Sequence, residues 1–118
     1  MKITGVIARP ILSSAGNQTI EVTITDETGK QTSVGVPAGI SAGKYEVAKV
    51  SVAEALEQIR LVKSELVMQD FGQETLDAML ISKNMGGNAT LAVSAAFWRA
   101  SKNETREYKW PKLLLLLF

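Results

Sequence analysis

The chain has 118 residues, 46% of them hydrophobic, and its 13 Lys and Arg residues nearly balance its 12 Asp and Glu residues. This length and apolar content predict a single domain with one core, and a net charge of +1 excludes the concentrated basic face that nucleic acids and anionic membranes require. Because the chain contains neither Cys nor His, disulfides, thiolate nucleophiles, His bases and Cys- or His-ligated metals are excluded, which leaves Mg²⁺ as the metal that its oxygen-bearing side chains favour.

Three strands are predicted in the first forty residues, at Ile3–Leu12, Thr19–Thr25 and Gln31–Val36. The middle strand alternates with a period of two, which places its isoleucines and its valine on one buried face. Asp26–Lys30 has the composition of a short hairpin connection, with Gly29 available for a positive φ. The pattern therefore predicts an antiparallel meander with one buried face.

Three helices are predicted after the strands, at about 51–66, 73–83 and 88–102. Ser51 opens the first with capping-box spacing, and Asn88 is expected to cap the third. The apolar positions of the first helix form a single stripe: Val52, Ala55, Leu56, Ile59, Val62 and Leu66. Because strands and helices are segregated along the chain, we expect a two-layer α+β fold, a three-stranded antiparallel meander followed by three or four helices.

The loop Val36–Glu46, which reads V-P-A-G-I-S-A-G-K-Y-E, is the most informative segment. One interpretation is a strand-to-helix connection whose glycines serve tight turns. The alternative is a mobile lid in which two glycines bracket a serine and act as hinges, formed by Ala38, Gly39, Ile40, Ser41, Ala42 and Gly43. A hydrolase nucleophile elbow has the same G-x-S-x-G pattern, but the chain has no His to activate the serine.

Three segments, Ala8–Val22, Val36–Glu46 and Gly87–Ala96, together carry a resemblance to the enolase family, and specifically to its small amino-terminal domain. The first resembles the family's opening strand, turn and second strand. The second is similar to the catalytic loop V-P-x-G-x-S-x-G-x-x-E, and the third to the helix G-A-N-A-x-L-x-V-S-x-A. Their order and approximate spacing match across residues 3–102, which is nearly the whole chain.

The resemblance implies an activity whose catalytic residues lie mostly outside this chain. Enolases, or phosphopyruvate hydratases, are glycolytic lyases that interconvert 2-phosphoglycerate and phosphoenolpyruvate with two Mg²⁺ ions and a lysine base. The metal-binding carboxylates, the lysine and most substrate contacts belong to a large carboxy-terminal barrel that these 118 residues do not include. By position, Ser41 matches the serine that ligates the second Mg²⁺ when the lid closes, and Gly39 and Gly43 match the hinges. The chain alone is expected to have no catalytic residue and no cofactor, and to share Mg²⁺ only with a barrel chain.

Several residues depart from the family pattern. Ala15 replaces an arginine that usually joins a subunit-interface ion pair, which weakens the expectation of the standard enolase dimer. Ala38 and Ala42 replace a common serine and threonine, so the lid is retained but simplified. Arg9 and Glu46 fall on family positions, where an ion pair or hydrogen bond that braces the strand or the loop is the favoured interpretation.

Residues 1–109 are interpreted as an enolase amino-terminal-like domain and residues 110–118 as a hydrophobic tail. The tail has no helical or strand alternation, and Leu113–Phe118 is a run of six apolar residues, far below the ~20 that span a bilayer. Burying each of these side chains is worth about 1.5–3 kcal/mol, so leaving all of them in water would be unfavourable. We therefore expect the tail to pack on the domain's own helices or to dock on another subunit.

Two functions stay open at this point. The first is a non-catalytic binding or assembly module that forms a homo-oligomer. The second is one half of a split enolase, whose partner is a barrel chain and which contributes Ser41; a fragment of a longer enolase is a third interpretation. Met1–Gly16 has no signal-peptide pattern, so a soluble cytoplasmic protein with no nucleic-acid or membrane partner is expected.

Overall fold

The computed structural model describes residues 1–12, 16–36 and 51–101. The predicted lid Ala38–Gly43, with Ser41, and the tail 110–118 lie outside the described residues. The same holds for Ala15 and for Glu46.

The sheet has three antiparallel strands in the order β1-β2-β3: β1 is Ile3–Leu12, β2 is Gln18–Asp26 and β3 is Gln31–Gly35. The isoleucines and the valine of β2 are fully inaccessible to solvent, as the alternation predicts, and Thr19, which is out of phase with them, is buried as well. Gly29 has a φ of 88°, and Asp26 closes the hairpin by accepting hydrogen bonds from the backbone N–H groups of Thr28 and Lys30. The predicted meander is therefore confirmed.

Three helices follow the sheet: α1 is Val52–Leu66, α2 is Gln73–Ser82 and α3 is Gly87–Ser101. The predicted α+β order of strands followed by helices is confirmed. None of these helices, within the described parts of the chain, is long and apolar enough to cross a membrane.

The predicted cap of the third helix was wrong. Instead of beginning after Asn88, α3 begins at Gly87, and the carbonyl oxygen of Gly86 accepts the backbone N–H of Thr90 at 2.9 Å. Gly86 thus stands where the first intrahelical bond is accepted, a position that glycine tolerates well. Asn88 lies in the first turn and is buried.

The core lies between one face of the sheet and the helical layer. Helix α3 packs on β2 and β3, α1 packs on β1, and α2 packs on α3. The largest fully buried side chains come from both layers: Phe97, Ile3, Ile20, Ile24, Ile59, Leu66, Leu76, Leu80, Val6, Val22 and Val93. Helix α3 is rich in small residues, and eleven of its fifteen residues are buried.

Candidate functional site

The described residues frame the loop that contains the predicted lid. Residues 37–50 lie outside the described residues, between Val36, which follows β3, and Ser51, which precedes α1. The geometry of these two positions therefore fixes where the loop starts and where it ends.

The first end of the loop is held by two buried hydrogen bonds. Val36 donates its backbone N–H to the carbonyl oxygen of Ile20 at 2.9 Å, and its own carbonyl oxygen accepts the Thr19 hydroxyl at 2.7 Å. Val36 and Thr19 are 3% and 8% exposed, so these bonds are shielded from water. Val36, the last described residue before segment 37–50, is thus fixed through both its N–H and its C=O group.

The second end of the loop is the cap of α1. The Ser51 hydroxyl accepts the backbone N–H of Glu54 at 3.2 Å, which confirms the predicted start of the helix. Helix α1 is in turn held in the core by Ala55 and Ile59, which are buried. The residues on either side of segment 37–50 are therefore hydrogen-bonded within the described fold, and the lid itself stays a prediction.

Arg9 lies on the open face of the sheet, where its Nε donates to Glu21 Oε1 across the strands at 2.6 Å. The pair joins β1 to β2 at positions that are directly opposite in the register. The bracing interpretation of Arg9 is therefore confirmed.

A buried polar cluster between α2 and α3 was not anticipated from the sequence. Asp77 Oδ1 accepts the Ser94 hydroxyl at 2.7 Å and the Gln73 side-chain amide at 3.0 Å, and that amide also reaches the Ser94 backbone carbonyl at 3.3 Å. Asp77 is 7% exposed and Ser94 is fully buried. Burial is the largest effect on Asp77 and raises the pKa of its carboxyl group, against the two hydrogen bonds, which lower it.

One sequence signal would have located this cluster. Gln73 and Asp77 stand four residues apart on α2, in register with the buried Leu76 and Leu80. Two polar residues on an apolar helical stripe indicate a buried partner on the facing element. The sequence does not distinguish Ser94, however, from the other small residues of α3.

A magnesium site does not fit the residues that the structure describes. Among them, no group of three Asp or Glu side chains lies close enough to hold a metal ion. The most buried carboxylate, Asp77, faces a hydroxyl and an amide rather than a second carboxylate. Ser41, the metal ligand that the resemblance implies, lies outside this part of the chain.

Comparison with known proteins shows the family of the chain. The family model described as the enolase N-terminal domain matches residues 3–110. The enolase of Anaplasma phagocytophilum is 36% identical over 120 residues, and that of Pyrococcus furiosus is 34% identical over 121 residues. These matches include 85% and 86% of this chain but only 28% of each relative, so the chain spans less than a third of those enolases. From this match and from its three-stranded sheet followed by three helices, the chain belongs to the enolase family, as its amino-terminal domain.

Proposed function

We propose that this chain is a non-catalytic binding or assembly module of the enolase amino-terminal type. The observation that carries the proposal is that most of the described carboxylates form ion pairs or hydrogen bonds within the fold. Six of them have structural partners: Glu21 with Arg9, Asp26 with the hairpin turn, Glu57 with Arg60, Glu65 with Lys83, Asp70 with the amino terminus, and Asp77 with Ser94.

The reaction that the family carries out needs groups of another kind. Mg²⁺ is bound by several oxygen ligands that converge on one point, and proton abstraction needs a base held near the substrate. The six carboxylates are dispersed over both layers, and the sequence offers no His to act as a base. Catalysis by this chain alone is therefore not expected, and neither is a cofactor of its own.

A second candidate function is favoured by the hydrogen bonds of the two residues that flank segment 37–50. Val36 and Ser51, which flank segment 37–50, are both hydrogen-bonded, and a module without catalytic work would have no need for the lid that the sequence predicts between them. In this alternative the chain is one half of a split enolase. It would deliver Ser41 to Mg²⁺ on a barrel chain, in the cytoplasm where the family's glycolytic reaction takes place.

An assay of 2-phosphoglycerate dehydration separates the two functions. The full chain is measured alone and with an enolase barrel that lacks its own amino-terminal domain, both with Mg²⁺. No turnover in either case supports the module, and turnover restored by the barrel supports the split enzyme. Turnover by the chain alone would overturn both.

Two serine variants make the assay specific to the loop. In the split enzyme, Ser41→Ala should abolish the restored turnover, whereas Ser64→Ala on the exposed side of α1 should leave it unchanged. Light scattering tests the assembly role, because a mass of 12.7 kDa over a wide concentration range would remove self-association from the proposal.

A further inference from the structure

A groove of about 470 Å³ runs between β1 and α1. Its walls are mainly apolar, and three charged side chains of α1 stand along it. The lining residues used below are Val6, Ile7 and Ala8 of β1 and Ala53 and Leu56 of α1.

The edge of β1 beside this groove has unused backbone groups. Val36 donates to Ile20, so the even-numbered residues of β2 bond to β3 and the odd-numbered ones bond to β1. Ala8 pairs with Val22 in this register, which directs the N–H and C=O groups of Val6 and Ala8 away from β2. None of the described residues makes a backbone hydrogen bond to them.

Two features limit this open edge. At its start, Ile3 bonds with the segment after α1, since it donates to Gln69 at 3.2 Å and accepts from Met68 at 2.6 Å. Further on, Pro10 has no N–H to offer. The open window between these two limits is therefore Thr4–Arg9, which is six residues long and has Val6 and Ala8 at its centre.

The opposite edge of the sheet is less available. There, Arg99 of α3 donates from Nη1 to the backbone carbonyl of Ser33 on β3 at 3.2 Å. A cation on a sheet edge disfavours the addition of another strand. The two edges thus differ in whether they can accept a strand.

The tail Leu113–Phe118 has the composition that this edge requires. On the groove side a strand added to β1 would contact Val6 and Ala8, and on the open side it would contact Ile7, which is 56% exposed. The β1 side chains that it would contact are apolar on both sides, so a matching strand would be apolar on both of its faces. This accounts for the absence of alternation in the tail.

The chain is also long enough to reach the groove. Helix α3 ends at Ser101, near β3, because Arg99 contacts Ser33. β3 and β1 are two strand spacings apart, roughly 10 Å. The eleven residues 102–112 can extend over about 36 Å, more than three times that separation.

We propose that the segment Leu113–Phe118 of this chain docks along the open edge of β1 as an additional strand and fills the groove between β1 and α1. The occupant is the chain's own tail. A tail donated by a second copy is an outcome of the test below and would overturn the proposal. The proposal does not depend on whether the chain is a module or half of an enzyme.

Cross-linking of paired cysteines tests the docking directly, because the natural chain has no Cys. Leu115→Cys is combined with Ala8→Cys or with Ala53→Cys, and the full-length double variants are treated with a short bis-maleimide. The matched control pairs Leu115→Cys with Glu27→Cys, in the hairpin turn five residues along β2 from Val22, which pairs with Ala8, and thus about 17 Å from Ala8. We expect efficient cross-links within one chain for the two groove pairs and a much lower yield for the control.

Equal yields for all three pairs would overturn the proposal, and so would cross-links that form only between chains. Amide hydrogen exchange gives a second measurement on a chain without cysteines. Replacing Leu114 and Leu116 by Ser should speed exchange at Val6 and Ala8 by roughly tenfold, with Ile24 in the core unchanged. Unchanged exchange at Val6 and Ala8 in this variant would also overturn the docking.

Discussion

Helices α1 and α3 have the same length of fifteen residues but are buried to very different extents. In α3 eleven residues are buried, whereas in α1 only four are: Ala55, Ile59, Val62 and Leu66. The difference follows from position, since α3 contacts both β2 and β3 as well as both other helices, and α1 contacts β1 and, less extensively, α3 and β2. Two equal helices can therefore contribute very unequally to one fold.

The difference in burial means that α3 lies mostly in the core, whereas α1 presents much of its surface to solvent. Small residues around α3 allow neighbours on every side, and its polar Ser94 is matched by Asp77 on α2. Helix α1 follows the single-stripe pattern and leaves Leu61 60% exposed, and no other described element covers the groove beside β1. We expect substitutions in α3 to act on stability and substitutions on the outer side of α1 to act mainly on what binds there.

The largest effect is expected for Phe97→Ala in α3. Phe97 is 1% exposed, so its removal leaves a cavity at the centre of the core, and we expect a loss of about 3–5 kcal/mol in the free energy of unfolding. Urea denaturation followed by circular dichroism measures this loss. The matched variant, Leu61→Ala in α1, should change stability by less than about 0.5 kcal/mol. Similar losses for both variants would show that the two helices are equally important to the core.

The next effect concerns the contact between α2 and α3. Asp77→Ala removes the acceptor of the Ser94 hydroxyl and of the Gln73 amide, and both donors are left in a buried space. We expect a loss of about 1–3 kcal/mol, measured by the same denaturation experiment. Glu27→Ala, in the exposed hairpin turn, is the control and should be nearly neutral. A neutral Asp77→Ala would mean that the cluster contributes nothing to stability.

The sequence predicted the elements more completely than the contacts between them. The period-two pattern of β2 and the stripe of α1 are local signals, and the structure confirms both. The pairing of Asp77 with Ser94 joins residues seventeen positions apart, and it depends on how α2 and α3 cross, which no local pattern specifies. The start of α3 was missed because Asn88 is a strong cap by residue type, while the backbone of Gly86 takes that position.

The candidate site was predicted in the same uneven way. Residue types and spacing marked the loop around Ser41, and the structure adds how Val36 and Ser51 hold its two ends. Thr19, whose hydroxyl fixes the carbonyl of Val36, was assigned by its alternation to the open face of the sheet rather than to a buried hydrogen bond. That role requires knowing that the chain passes next to Thr19 as it leaves β3.

A smaller effect is expected at the point where the loop joins α1. Ser51→Ala removes the acceptor for the Glu54 backbone N–H, and we expect a loss of about 1 kcal/mol in the free energy of unfolding. Ser64→Ala within the same helix is the control and should be neutral or slightly stabilising. If the two variants are equally stable, the cap does not fix the second end of the loop.

The smallest effect is a change in how stability depends on pH. It tests whether Asp77, between α2 and α3, is shielded from water. Burial, followed by the nearby Glu74 carboxylate among the effects that act in the same direction, raises the pKa of Asp77 above its ordinary value. The folded chain therefore holds this proton more tightly than the unfolded chain does. The contribution of Asp77 to stability is greatest below the ordinary aspartate pKa and declines as the pH rises through the raised pKa.

Asp77→Asn tests this sign, because the amide keeps an acceptor for Ser94 and Gln73 but cannot ionise. Relative to the natural chain, the variant should gain stability as the pH rises through that window, measured by urea denaturation at a series of pH values. Glu57→Gln on the exposed side of α1 should show the opposite sign, because the hydrogen bond from Arg60 lowers the pKa of Glu57. A variant of Asp77 whose pH profile runs parallel to that of the natural chain would mean that this carboxyl group ionises as freely in the folded state as in the unfolded state. The contact between α2 and α3 would then be open to water. Helix α3 would not be more shielded from solvent than α1 at this contact.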